Sequence, residues 1–196
     1  MQRILTSRPL LWALLAAPAA WIAYAYATDV LSYGEVIHLT GDTSARLLIV
    51  TLAATPFRLM FPRAGWPMWL LRRRREFGVA TFGYALFHLV VYVVRKAGLD
   101  LILTEGAEPS LLTGWLAFLL LLPLAATSND AAVRWLRRSW KRLHRLVYPA
   151  VVLVFAHWLL EAFTLQSALI HGAILAALEA TRVFLSHRRK ARAPAT

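Results

Sequence analysis

The chain has 196 residues, 59% of them hydrophobic, with a mean hydropathy of +0.56 and a formal charge of +12. An apolar share above the roughly one half of ordinary globular domains points to a membrane protein. The cations lie between apolar runs, as in loops against anionic membrane lipid, and this argues against nucleic acid as their partner. The absence of cysteine excludes structural disulfides, Cys-ligated zinc, iron–sulfur clusters and covalent c-type haem attachment. Any metal must be held by His or carboxylates, or arrive inside a cofactor.

Apolar segments run at about 10–27, 44–62, 77–94, 111–127, 143–163 and 167–185, each near the ~20 residues that cross the hydrocarbon as a helix. The expected fold is all-α, a polytopic membrane bundle of six transmembrane helices forming a single integral-membrane domain over 1–196, with a short basic tail at 186–196. Arg3 and Arg8 precede the first segment, and Ala25-Tyr26-Ala27 mimics a signal-peptide cleavage site. Its apolar run of about 18 residues exceeds the ~7–15 of a signal peptide, so a retained helix is expected.

Charge sets the orientation. Arg63 and Arg72 to Arg75 lie between segments 2 and 3, Arg134, Arg137, Arg138, Lys141 and Arg142 between 4 and 5, and Arg188, Arg189, Lys190 and Arg192 after segment 6. The opposite connections hold Asp29, Glu35, Asp42, Asp100, Glu105 and Glu108, against Arg95 and Lys96, with Arg46 at a helix start. The positive-inside rule then puts both termini and the 2–3 and 4–5 connections in the cytoplasm. Pro62, Gly65 and Pro67 break the chain after segment 2, and Gly98, Gly106 and Pro109 mark the outer 3–4 loop. One of Thr127-Ser128-Asn129-Asp130 is expected to cap a short amphipathic stretch from Ala131 to Trp140. Trp66, Trp69, Trp135 and Trp140 fall at cytoplasmic interfaces, where indoles concentrate.

Six histidines remain to be sorted by depth. His187 lies in the basic tail, His38 in the 1–2 loop, and His171 near the outer end of segment 6, all wet positions. His88 and His157 are deep. His88 lies 13 residues beyond Arg75 and His157 15 residues beyond Arg142, on two segments that both run outward. At ~1.5 Å per residue the two rings come within ~3 Å of one depth. Neutral imidazoles level with each other on parallel helices can fill both axial positions of a haem iron. The plainer alternative is that each ring donates to a backbone carbonyl or hydroxyl on a neighbouring helix. Two rival functions share the pattern: a small transporter using the histidines as a proton relay, and a membrane scaffold in which they merely pack.

His144 lies two residues past Arg142 and 13 before His157, hence ~20 Å below it and, in an ideal helix, ~140° away in azimuth. Pro149 between them is a candidate kink. The matching depth on segment 3 carries Arg75 and Glu76, so His144 has no evident partner for a second bis-histidine iron. It stands as a third candidate ligand, a propionate or flavin contact, or an interfacial residue. Arg72 to Arg75, Lys141, Arg142 and Arg145 invite an anion, and among them Arg75 and Arg142 are put forward as anchors for haem propionates or a flavin phosphate, because guanidinium forks suit such anions; the plainer alternative is topology and lipid headgroups. Tyr84, Tyr92 and Tyr148, one turn from His88 or His144, read as packing residues.

The runs RRRREFGVATFGYALFHLVVY, LLPLAATSND and WKRLHRLVYPAVVLVFAHW, with TGDTSARLLIVTLAATPFRLM before them, resemble the ferric-reductase-like transmembrane family over roughly residues 40–185. The resemblance implies a bacterial inner-membrane protein that binds haem b, one or two, through His88, His144 and His157, with FMN as a further candidate cofactor. It implies electron flow from the quinone pool or a cytoplasmic flavin reductase to a periplasmic molybdopterin-dependent subunit that reduces methionine sulfoxide. The residues leave a metal-ion reductase of the same family open. Oxidase-like relatives carry two histidines on the third helix, where this chain has only His88. They also carry a C-terminal flavin and nucleotide domain, so the donor here is expected to be a separate molecule.

Overall fold

Ser7 and Ser32 stand just ahead of two apolar runs and act as helix caps. In the computed structural model the first helix, α1 (Arg8–Ala27), opens with the Ser7 hydroxyl accepting from the Leu10 amide and Pro9 in the first turn. The second, α2 (Tyr33–Met60), opens with a capping box between Ser32 and Glu35. Then follow α3 (Gly65–Lys96), α4 (Pro109–Ala126), short α5 (Asp130–Leu136) and α6 (Arg138–Leu143), a 3₁₀ turn at His144–Leu146, α7 (Val147–Glu161) and α8 (Leu165–Ala191). The structure describes residues 7–96, 104–161 and 165–191, and every regular element among them is helical. Arg3, Gly98, Asp100 and Arg192 lie outside the described residues.

Six helices are long and apolar enough to cross a membrane, the fifth being the composite Arg138–Glu161. The protein is a multi-pass membrane protein, and its outward faces agree. Leu14, Val94 and Val152 are each more than 60% exposed, a surface suited to lipid and not to water.

The boundaries depart from the sequence expectation in two places. The second span begins at Tyr33 and not near 44, so His38, Glu35 and Asp42 are helical residues and not loop residues. The capping box supplies the start that hydropathy alone misses. The third span takes in Arg72 to Arg75; arginine is a good helix former, so the helix continues past the apolar run. Between spans 4 and 5, Asn129 caps the expected amphipathic stretch by accepting from the Ala132 amide, but Arg137 interrupts it at φ 47°.

Spans 2 to 6 form a ring in chain order, span 6 closing back on span 2, while α1 packs outside spans 2 and 3. One core cluster joins spans 1, 2 and 3 through Ile22, Val36, Tyr84 and Val91. A second joins spans 2, 5 and 6 through Leu48, Ile49, Val151 and Leu175, and a third joins spans 4 and 5 through Leu121, Leu124 and Ala150. Small residues line the contact of spans 2 and 3, where Ala45, Ala53, Ala54 and Ala80 are buried and Ser44 Oγ donates to the Thr81 carbonyl at 2.9 Å.

The basic connections gather at one end of the ring. There Arg8 lies 3.4 Å from Glu76, Arg75 lies 2.6 Å from Asp130, and Arg189 donates to the Leu59 carbonyl at 3.2 Å. The Arg75 side chain, by hydrogen bond and by charge, holds the Asp130 carboxyl below its ordinary value. A carboxylate with a depressed folded value keeps its contribution above the unfolded value and loses it as pH falls through the folded one. Amide exchange in Asp130–Leu136 is therefore expected to quicken only below the usual aspartate range of about 4, and Asp130→Asn should give the quickened rate already at neutral pH.

Candidate functional site

His88 projects from α3 and His157 from α7, on opposite sides of the ring of helices. The His88 Nδ1 lies 3.0 Å from the Ile37 carbonyl of α2, with Thr40 Oγ1 at 3.4 Å. The His157 Nδ1 lies 2.8 Å from the Ser110 carbonyl of α4. A carbonyl only accepts, so each imidazole carries its proton on Nδ1 and keeps the lone pair on Nε2. That is the tautomer a metal-binding histidine takes when a backbone carbonyl orients it.

The two ring centres are 6.2 Å apart, with the planes at 88°. Metal–imidazole bonds of about 2 Å put the centres of two rings that share one metal ~6 Å apart. Among the described residues no group of three or more His, Asp or Glu side chains is placed to hold an ion. A bare metal would lack ligands here, whereas a haem would bring ring nitrogens of its own and ask the protein only for His88 and His157. The donor set therefore fits haem.

The basic half of the ring interior is a cavity of about 750 Å³, walled by all five ring spans. Thr51, Gly78 and Leu124 line its depth, and Arg74, Arg75, Arg145 and Arg182 bring guanidinium groups to it. His144 is on its wall. The ring stacks on Trp140 at 3.9 Å between centroids, and its Nε2 lies 3.1 Å from Thr127 Oγ1. Thr127 already donates to the Pro123 carbonyl at 2.6 Å, so it accepts from His144, and Nδ1 keeps the lone pair. The 3₁₀ turn, and not Pro149, resets the helical phase between His144 and His157; Pro149 sits harmlessly in the first turn of α7.

Of the five site residues predicted from the sequence, the structure thus brings His88 and His157 together and sets His144 and Arg75 on the inner cavity. Arg142 is exposed and does not line that cavity. Arg182, which sequence reasoning missed, reaches it from the sixth span in an ion pair with Glu179 at 2.7 Å. An Arg three residues after a Glu inside an apolar helix was the available signal. Tyr84 and Tyr92 point elsewhere, donating to the Leu15 carbonyl and to Glu105, whereas Tyr148 lines the inner cavity and receives Arg182. His38 and His187 are exposed, and His171 lies against Trp158 at 5.2 Å with Nδ1 on the Ser167 carbonyl.

The family model described as "Ferric reductase like transmembrane component" matches residues 40–155, a stretch that includes His88 and His144. The chain is 38% identical over 197 aligned residues to a protein named protein-methionine-sulfoxide reductase heme-binding subunit MsrQ from Brucella ovis, covering 94% of this chain and 87% of the relative. Proteins of the same name from Brucella canis and Brucella melitensis biotype 2 match it equally.

Proposed function

Since the chain belongs to the ferric-reductase-like transmembrane family, among the MsrQ heme-binding subunits, we propose that it carries electrons across a bacterial inner membrane on haem b held by His88 and His157. The observation that carries this is the pair of rings at 6.2 Å, each with Nδ1 on a carbonyl. Haem bound there would supply a one-electron couple with no bond broken. The residues do the rest. The carbonyls of Ile37 and Ser110 fix the ring orientation and raise the basicity of Nε2.

The basic end is the cytoplasmic one by the charge rule. Electrons enter there, from the quinone pool or a cytoplasmic flavin reductase, by way of the cavity beside His144. Its guanidinium groups suit a propionate or the phosphate of a flavin such as FMN. Electrons leave at the far end to a periplasmic molybdenum-containing subunit. Reduction of methionine sulfoxide to methionine and water takes two electrons and two protons, so a one-electron carrier works twice per substrate.

The test is spectroscopic. Purified protein is expected to show a b-type difference spectrum between dithionite-reduced and oxidised forms, with at least one haem per chain. Reduced protein mixed with its catalytic subunit should reoxidise anaerobically when methionine sulfoxide is added. A colourless protein would reject the carrier, and reoxidation by ferric chelates but never by the subunit with its substrate would reassign the acceptor to metal ions.

A further inference from the structure

We infer that Gly41 and Gly114 are positioning residues for the two imidazoles, an inference that rests on the haem site proposed above. The two rings are held by the same device on two different helices. His88 uses the carbonyl of Ile37 and lies against Gly41; His157 uses the carbonyl of Ser110 and lies against Gly114. Both pairs are spaced i, i+4. In a helix the carbonyl of residue i faces the amide of i+4, and the Cβ of i+4 leans back toward the N-terminus, over that carbonyl. Where the outside donor is a ring lying against that side of the helix, a side chain at i+4 crowds its approach.

The distances bear this out at both positions. A Cβ on Gly114 would lie 3.0 Å from Cε1 and Nδ1 of His157 and 3.3 Å from its Cγ. A Cβ on Gly41 would lie 3.3 Å from Nδ1 of His88 and 3.4 Å from Cε1. The ring atoms met include the bonding nitrogen, so an added methyl makes the imidazole give by a few tenths of an ångström at its bond to the carbonyl. Gly83, on the same span as His88, meets nothing within 4 Å, and Gly78 meets only Thr51 Cγ2 at 3.6 Å. Neither glycine shows a positive φ, so close approach of the ring, and not backbone conformation, is what the missing side chain provides.

A lost Nδ1–H···O=C bond makes Nε2 a weaker donor to oxidised iron, and the midpoint potential rises. The experiment is a redox titration of the purified Gly114→Ala, Gly41→Ala and Gly83→Ala proteins beside wild type, followed in the b-type absorption band. The expected result is an upward shift that is largest for Gly114→Ala, smaller for Gly41→Ala and absent for Gly83→Ala. General loosening of the bundle would lower haem content but leave the potential of the remaining haem in place. Potentials unchanged or lowered in both Gly114→Ala and Gly41→Ala would overturn the inference. Should Gly114→Ala fail to assemble with haem, the milder Gly41→Ala decides alone. A wild-type protein without b-type haem defeats the carrier reading instead, which separates the two failures.

Discussion

His88→Ala and His157→Ala are each expected to remove the b-type absorption while leaving an inserted, folded protein. Both rings are needed because the described residues offer no third His, Asp or Glu side chain in a cluster with them to take over as ligand. The fold should survive because the partner carbonyls are not orphaned by the change. Ile37 and Ser110 keep their helical partners, the amides of Gly41 and Gly114, so the cost is that of one lost hydrogen bond and some contact, ~1–2 kcal/mol. Loss of haem from a protein that still elutes as a single species then reads out ligation and not unfolding. His88→Gln sharpens the comparison. Glutamine can still donate an amide N–H to the Ile37 carbonyl, but it is a poor axial ligand. If the rings only pack and hydrogen-bond, His88→Gln behaves as wild type. If they ligate, it is as colourless as His88→Ala, and added imidazole restores part of the band in the alanine variant. Retention of the full b-type signal in His88→Ala and His157→Ala would move the haem elsewhere.

The pairing of these two histidines was legible in the sequence because the membrane acts as a ruler. Arg75 and Arg142 are anchors at one face, and helices of fixed rise carry residues 13 and 15 positions later to one depth. Depth is one coordinate, however, and azimuth is the other. Arg142, expected at the cofactor, lies exposed, because the break at Arg137 and the 3₁₀ turn at His144 reset the helical phase in a way periodicity does not record; Arg182 reaches the cavity from another span. The start of span 2 was legible through another rule. Ser32 and Glu35 form a capping-box pattern that a hydropathy window passes over. The roles of Gly41 and Gly114 were not legible. A helical glycine declares its purpose only when the neighbour that needs the space is known, and those neighbours lie 47 and 43 residues away along the chain.

Thr51→Trp is expected to uncouple the cytoplasmic donor from the His88–His157 pair without removing it. Thr51 lines the inner cavity opposite Gly78, and its hydroxyl donates only to the Leu47 carbonyl of its own helix. Tryptophan therefore adds bulk to the cavity and breaks no link between spans. His144, on the cavity wall, lies ~20 Å below His157 along span 5. Electron tunnelling falls steeply over such a gap, so transfer from a donor at the basic face needs a carrier or a docked donor inside the cavity. With that space filled, dithionite should still reduce the haem to its full difference spectrum, because small reductants reach it from either face. Reduction by a quinol or a reduced flavin should slow by at least about tenfold, the effect of ~1.4 kcal/mol on a barrier. Gly78→Ala is the control, since its added methyl meets Thr51 at an ordinary contact distance. Unchanged donor-driven rates in Thr51→Trp would mean that electrons reach the histidine pair by another route, from the flank of the bundle or its far end. In that case the guanidinium groups around His144 serve topology and lipid alone, as arginines at a cytoplasmic interface ordinarily do.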